Sequence, residues 1–398
     1  MRLGYFSPLP PQQTGVAKYS ANLLPALAQL ARLTVYEPQP SDLPQVGWRR
    51  RPLPGFAGPL QAGLDICLYQ MGNHIGFHEQ IYRLLRRYPS VVTLHDLNLH
   101  SFYGELYLKR EAWPAYVREM AFAHGPAGAR QARRALLGQA AYDVRRYPLF
   151  ERCGRGSLGV LTHSRYAAAA VGERCPATPV KAIHLPVAPL KLPERAAARR
   201  ELGLAEDDLL LLSLGFISWS KRPESVLRAL AQLRPRFPGL KYALVGADVW
   251  WIDLRPLIAE LGLQDCVRLS GWADERLYAA YLAAADIGLN LRYPTHGETS
   301  ATLFELLAAG VPTLVSNVDA FVELPDAAVV KIDAGPGEAD QVAAVLAALA
   351  AAPEQRLALG RQAAAHVRDH CQPEAVAADI VAFLEAILEG LPEGRPRA

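Results

Sequence analysis

The chain of 398 residues has no C-x-x-C pair and no regular cysteine spacing: Cys67, Cys153, Cys175, Cys266 and Cys371 stand far apart. An odd, dispersed set argues against a disulfide frame and reads as reduced thiols. A large charge excess is missing too. The formal net charge of +3 is small for this length and gives no argument for a nucleic-acid partner. No long hydrophobic run is present: the most apolar stretch, Val342 to Ala352, is alanine-rich and too short to span a bilayer. The opening MRLGYFSPLPPQQ lacks an apolar h-region and is broken by Pro8, Pro10 and Pro11, so no secretory signal is expected there. The expected location is therefore the cytoplasm. There is no G-x-G-x-x-G fingerprint and no short-period repeat.

What is present is an ordinary enzyme-like composition, half apolar and one fifth charged, in a chain too long for one core. Two domains are expected, at 1–187 and 188–372, with a last helical segment at 373–398. Arg2–Ser7, Leu33–Tyr36, Leu64–Tyr69, Val91–Leu94, Val160–His163 and Ala182–Pro186 read as strands of the first. VAPLKLPERAAARR, proline-bearing and charged, reads as the linker. Leu209–Leu214, Tyr242–Val245, Val267–Ser270, Ala285–Leu291, Val311–Ser316 and Val329–Ile332 are strands of the second, with Trp250 and Trp251 at or before a helix. Near-continuous apolar strands alternating with helices specify doubly wound parallel sheets, an α/β class.

The chain is organised around YPTHGETSATLFELLAAGVPTLVSN, Tyr293 to Asn317. A polar turn runs into a helix of about three turns that Gly310 closes. Thr299 and Ser300 suit an N-cap, so the first amides, near Ala301, are placed to hold a phosphate. Glu298 and Glu305 are seven residues apart, near one face if the helix reaches back that far. Their bland reading is two solvated glutamates.

Other candidates lie where strands end, the edge at which open α/β sheets bind ligands. Gly15 follows the first strand and opens a helix. His95 and Asp96 end Val91–Leu94; His95 is suited to bonding a sugar hydroxyl or moving a proton, with Asp96 orienting it. Lys221 and Arg222 precede a helix begun by Pro223 and form a diphosphate clamp or a solvated basic pair. Trp272 receives a nucleobase or packs on its domain. The arginine-rich, aromatic-bearing stretch 109–155 is either a face for anionic lipid or a solvated helix surface.

These segments, taken in order, resemble the family 4 glycosyltransferases along nearly the whole chain. FSPLPPQQTGVAKYS looks like that family's opening loop, LHD like its histidine segment, GFISWSKRP like its G-R-x-x-x-x-K pattern, and GETSATLFELLAAGVP like its E-x7-E region. The resemblance implies the GT-B fold, two Rossmann-like doubly wound domains facing across a cleft, with the final helix returning to the first domain. It implies a retaining, metal-independent transfer of a sugar from a nucleotide-sugar (UDP-, GDP- or ADP-) to an acceptor hydroxyl. The acceptor would be a glycan, a lipid-linked group or a small molecule, in the biosynthesis of polysaccharides or glycoconjugates. No further cofactor, no metal and no nucleic acid are implied.

By the same resemblance Gly15, Lys221, Arg222, Trp272, Glu298, Thr299, Ser300, Ala301 and Glu305 bind the donor, Glu305 at its ribose, and His95, Glu298 and Lys221 serve catalysis. Two departures stand out. Phe216 occupies the arginine position, and the first glutamate's place falls on Gly297, beside Glu298. They motivate the rival reading of a silent homologue that binds nucleotide or a partner, alongside a nucleotide-sugar epimerase.

Overall fold

The computed structural model describes residues 1–247 and 252–391; Trp250 and Trp251 lie outside them. The chain divides into two compact units. The first comprises Met1–Ala188, the short segment His296–Thr299 and the chain from Gln372; the second comprises Pro189–Thr295 and Ser300–Cys371.

The first unit holds strands β1 (Arg2–Phe6), β2 (Arg32–Glu37), β3 (Arg49–Pro52), β4 (Ile66–Met71), β5 (Val91–Leu94), β6 (Gly159–Thr162) and β7 (Val180–Ala182). They form one parallel sheet in the order β3-β2-β1-β4-β5-β6-β7. The middle strands are buried on both faces, as every residue of β4 shows, which is why they read as unbroken apolar runs. β3 reads differently. Its sequence, RRRP, has no apolar side chain, and it joins the edge by backbone pairing to β2. Charge on an edge strand discourages further strand addition.

The second unit holds β8 (Leu209–Leu214), β9 (Leu240–Val245), β10 (Val267–Gly271), β11 (Ile287–Asn290), β12 (Thr313–Ser316) and β13 (Val329–Ile332), in the order β10-β9-β8-β11-β12-β13. In both sheets the strand order reverses beside the first strand of the unit, between β1 and β4 and between β8 and β11. A doubly wound sheet opens a crevice at that reversal, outside the carboxyl ends of its strands.

Two stretches depart from the sequence expectation. The last six residues of the expected linker belong to a helix, Arg195–Leu202, whose start is capped by the Glu194 carboxylate on the amides of Ala196 and Ala197. The stretch 109–155 is not one helical face. Its long helix, Trp113–Leu136, breaks at His124 and Gly125. Arg152 turns inward to pair with buried Glu119 and lies over the Phe122 ring, and Arg155, though exposed, donates to the carbonyls of Phe122 and Arg174. Arg133, Arg134 and Leu137 remain exposed. No single described helix is long and apolar enough to cross a membrane.

The last helix, Pro373–Glu389, packs on the first unit against the helix Gly15–Leu30. Lys181 donates to Asp379 at 2.8 Å, and Gly159 leaves room for Phe383, whose ring a Cβ there would meet at 2.9 Å. Leu384 on this helix is fully buried. Leu384→Ala is expected to cost about 2–5 kcal/mol through lost burial and a cavity, read as a lower urea midpoint for the first unit. An unchanged midpoint would show the helix to be dispensable packing.

Candidate functional site

In the second unit the geometry turns on three glycines at the carboxyl ends of β8, β9 and β10. Gly215 has φ +81°, and its amide donates to Val245. Gly246 sits so close that a Cβ would meet the Gly215 carbonyl oxygen at 2.4 Å, and its amide donates to Gly271. Side chains are excluded by contact here, and in the left-handed region by strain as well.

Two cationic features converge on that floor. Lys221, at the end of a 3-10 turn, donates from Nζ to the Leu214 carbonyl at 2.6 Å. A Cβ placed on Gly215 would lie 3.0 Å from that Nζ and 3.5 Å from Thr302 Cγ2. Thr302 is the second residue of the helix Ala301–Ala308. Lysine charge and the start of a helix thus face one glycine turn, the combination that attracts a phosphate. The start carries no side-chain cap: Ser300 Oγ pairs with Thr302 Oγ1 at 3.2 Å.

Arg222 is placed differently. It has φ +58°, and its Nε donates at 2.7 Å to Glu338, a buried carboxylate that also accepts from Ser225. Its charge is matched by that pair. Phe216 and Trp272 are each about half exposed, 50% and 54%, with ring centroids 6.5 Å apart. They present two aromatic faces beside the glycine floor.

Glu305 lies on the inner side of its helix, 6% exposed, and accepts a hydrogen bond from the Tyr278 hydroxyl on the helix Glu275–Ala284. Burial, with Glu305 beside it, raises the Tyr278 phenol well above its usual value, so it stays a donor. No sequence signal marked Tyr278. It is one tyrosine in an amphipathic helix, and its role exists only through tertiary contact.

Glu298 does not share that helix, which begins three residues later at Ala301. It belongs with the first unit. Gly297, at φ +68°, rests on Leu97, and the His296 carbonyl accepts the Asn98 amide at 2.9 Å. The buried Glu298 carboxylate folds back onto the His296 amide at 2.6 Å, and Thr299 donates to the His163 carbonyl at 3.3 Å.

His163 leads into the first unit's own polar cluster. Its ring, that of His95 and that of Tyr19 lie with centroids 4.6–5.1 Å apart. Tyr19 is one turn into the helix that Gly15 opens, where a Cβ on Gly15 would meet nothing within 4 Å. His95 is oriented by Gln70, Nε2 to Oε1 at 2.9 Å, and Asp96 accepts the Asn73 amide. Burial, reinforced by His163 and His78, lowers His95 well below the usual imidazole value; burial, with His184 adding to it and backbone groups opposing, takes His163 to about 4. Both rings are neutral at physiological pH. Tyr19 Oη, Gln70 Nε2, Thr93 Oγ1 and both His163 ring nitrogens are buried without a hydrogen-bond partner among the described residues. His163 ends β6 as His95 ends β5, so the same strand-end rule could have found it. Tyr19 and Gln70 are visible only in three dimensions.

Residues 194–366 match the family model described as glycosyl transferases group 1. This part of the chain is a group 1 glycosyltransferase domain. A D-inositol 3-phosphate glycosyltransferase of Actinosynnema mirum is 34% identical over 187 residues, 44% of each chain. The chain spans less than half the length of the curated relatives it matches. Sucrose-phosphate synthase from Thermosynechococcus elongatus superposes with a TM-score of 0.68 at 17% identity, over 98% of this chain and 100% of that one. Anabaena Alr3699/HepE, crystallised with UDP-glucose, gives 0.65 at 16% identity over 97% and 100%. At such identities the likeness establishes the GT-B fold alone.

Two outcomes test the site's construction. Tyr278→Phe leaves a buried carboxylate short of a donor and should destabilise the second unit by about 1–3 kcal/mol, measured by urea unfolding. Wild-type stability would mean that Glu305 does not depend on that hydroxyl. In the first unit, the ring signals of His95 and His163 should stay flat between about pH 8 and pH 5.5 in NMR titrations. A midpoint near the ordinary histidine value would mean that the cluster is hydrated and charged.

Proposed function

We propose that the protein transfers a sugar, with retention and without a metal, from a nucleotide-sugar to an acceptor hydroxyl. The observation that carries this reading is the convergence of Lys221 and the start of the helix Ala301–Ala308 on Gly215. A departing nucleoside diphosphate accumulates negative charge, and fixed cations and amides aimed at it lower the barrier. Glu305, steadied by Tyr278, is suited to the ribose hydroxyls, and the Phe216–Trp272 pair to the base or sugar face. In the first unit, neutral His95 donates from Nε2 to Gln70 and so keeps Nδ1 as an acceptor for a sugar hydroxyl. The open amides at Gly15 are suited to the donor's phosphates.

Uridine is the first base to test, since HepE was crystallised with UDP and with UDP-glucose. A phosphorylated polyol is the first acceptor to test, since the relatives are named for inositol 3-phosphate. We place the enzyme in the cytoplasm, with peripheral contact to anionic lipid through the exposed face carrying Arg133, Arg134 and Leu137.

A second reading, a nucleotide-binding protein without turnover, draws on Phe216 in place of arginine and on the Arg222–Glu338 pair. Release of UDP that depends on acceptor separates the two. Lys221→Ala is expected to lower that release by at least roughly a hundredfold, with the thermal unfolding of the unliganded protein little changed. Near-normal release from this variant would remove Lys221 from the mechanism.

A further inference from the structure

The first unit contains a cleft that the proposed reaction does not use. It has a volume of about 380 Å³ and lies at the carboxyl ends of β2 and β3, lined by Glu37, Arg50 and Arg51 and walled by prolines such as Pro40 and Pro54. Proline on both sides fixes the backbone, so little ordering is left for a ligand to impose.

Its charged groups are arranged unevenly. Arg50 spends its terminal nitrogens on the carbonyls of Ser41 and Leu43. Its Nε stands 3.9 Å from Glu37 Oε2, too far for a hydrogen bond, and both atoms are buried without a hydrogen-bond partner among the described residues. Glu37 is 9% exposed, and burial raises its carboxyl, with Arg50 opposing. A ligand hydroxyl that enters as the two side chains part can donate to the carboxylate and accept from the Nε–H, satisfying both at once. Arg51 is exposed and has no carboxylate partner among the described residues. It leaves the cleft with one unmatched positive charge.

Edge-strand arginines also guard against strand pairing, and Arg49 is enough to illustrate that role. Guarding requires neither a walled cleft nor a buried carboxylate held short of its partner. The cleft is also joined to the opening loop: Ser41 Oγ and the Asp42 amide both donate to the Pro10 carbonyl, at 2.6 and 3.2 Å. That carbonyl belongs to the loop leading from β1 to Gly15.

We propose that this cleft binds a sugar or polyol bearing an anionic group, with Arg51 taking the anion and the Glu37–Arg50 gap taking a hydroxyl. Calling that ligand the acceptor, or its extension, rests on the glycosyltransferase reading; the binding itself does not.

Calorimetric titration of the whole chain with glucose 6-phosphate, glucuronate, glucose and inorganic phosphate tests it, with UDP titrated in parallel. At least one charged sugar should bind about tenfold or more tightly than glucose and phosphate, the worth of one charge-assisted contact. The tighter of the two identifies the anion as phosphate or carboxylate. Arg51→Gln should abolish the preference and Glu37→Gln weaken it, whereas Arg49→Gln, outside the cleft lining, leaves it unchanged. The proposal is overturned if neither charged sugar binds, if phosphate alone matches glucose 6-phosphate, or if Arg51→Gln keeps the preference. Charged-sugar binding without UDP binding would sink the transferase reading and leave the subsite standing.

Discussion

Lys221 is held over a floor that only glycine can form. Gly246 lies so close to Gly215 that a methyl group on it would collide with the Gly215 carbonyl oxygen, and Gly215, at φ +81°, leaves room for the lysine ammonium. This contact brings the ends of β8 and β9 together beside the start of the helix Ala301–Ala308. The sheet order supplies the rest, because its reversal between β8 and β11 leaves that end uncovered by a crossover helix. Positive charge is thereby fixed in place before any ligand arrives. Preorganisation of this kind is what makes a fixed charge more effective than the same charge in water.

Buried carboxylates are matched by arginine in both units, Glu338 by Arg222 in the second. In the first, buried Glu119 and Glu151 are matched by Arg152 and Arg174, and their carboxyls are raised by burial. Those pairs tie the broken helix to its neighbours. Removing one partner from such a pair costs more than the pair contributes, because the other charge stays buried. Part of the arginine-rich stretch is accordingly internal scaffolding, and only the remainder can meet a solvent-side partner.

Much of this was legible from residue order, for a physical reason. A parallel strand buried on both faces must be apolar throughout, so LLLLSL and VVTL declare themselves. A residue that ends such a strand is placed at the ligand edge without further information, which marks His95; Lys221 is marked instead by its place before a helix that Pro223 begins. RRRP was passed over because its pairing is made by backbone, to which side-chain pattern is blind. The helix Arg195–Leu202 reads as linker because its buried face is only Ala198 and Leu202, set among arginines behind a cap by Glu194. Glu298 and Glu305 looked like one helical face because seven residues make about two turns. The helix begins only at Ala301, and Glu298 stands before it in a four-residue segment that belongs to the first unit. Tyr278, Tyr19 and Gln70 act through contacts between distant segments, which no local pattern encodes.

Phe216 bears on how the charge of a leaving diphosphate would be met. An arginine at that position would add a second mobile cation beside Lys221; phenylalanine adds an aromatic face next to Trp272 instead. Arg222 does not restore the loss, since its guanidinium lies against Glu338 and its backbone is held in the left-handed region. In the proposed reaction more of the stabilisation would then come from Lys221 and the helix amides, whose direction is fixed. A dipole acts over the first turn only, so a phosphate held that way would sit close to Ala301 and Thr302. The proposed reaction would then demand tight placement of the donor in the absence of that arginine, and an aromatic pair that holds a ring face in register is one way to secure it.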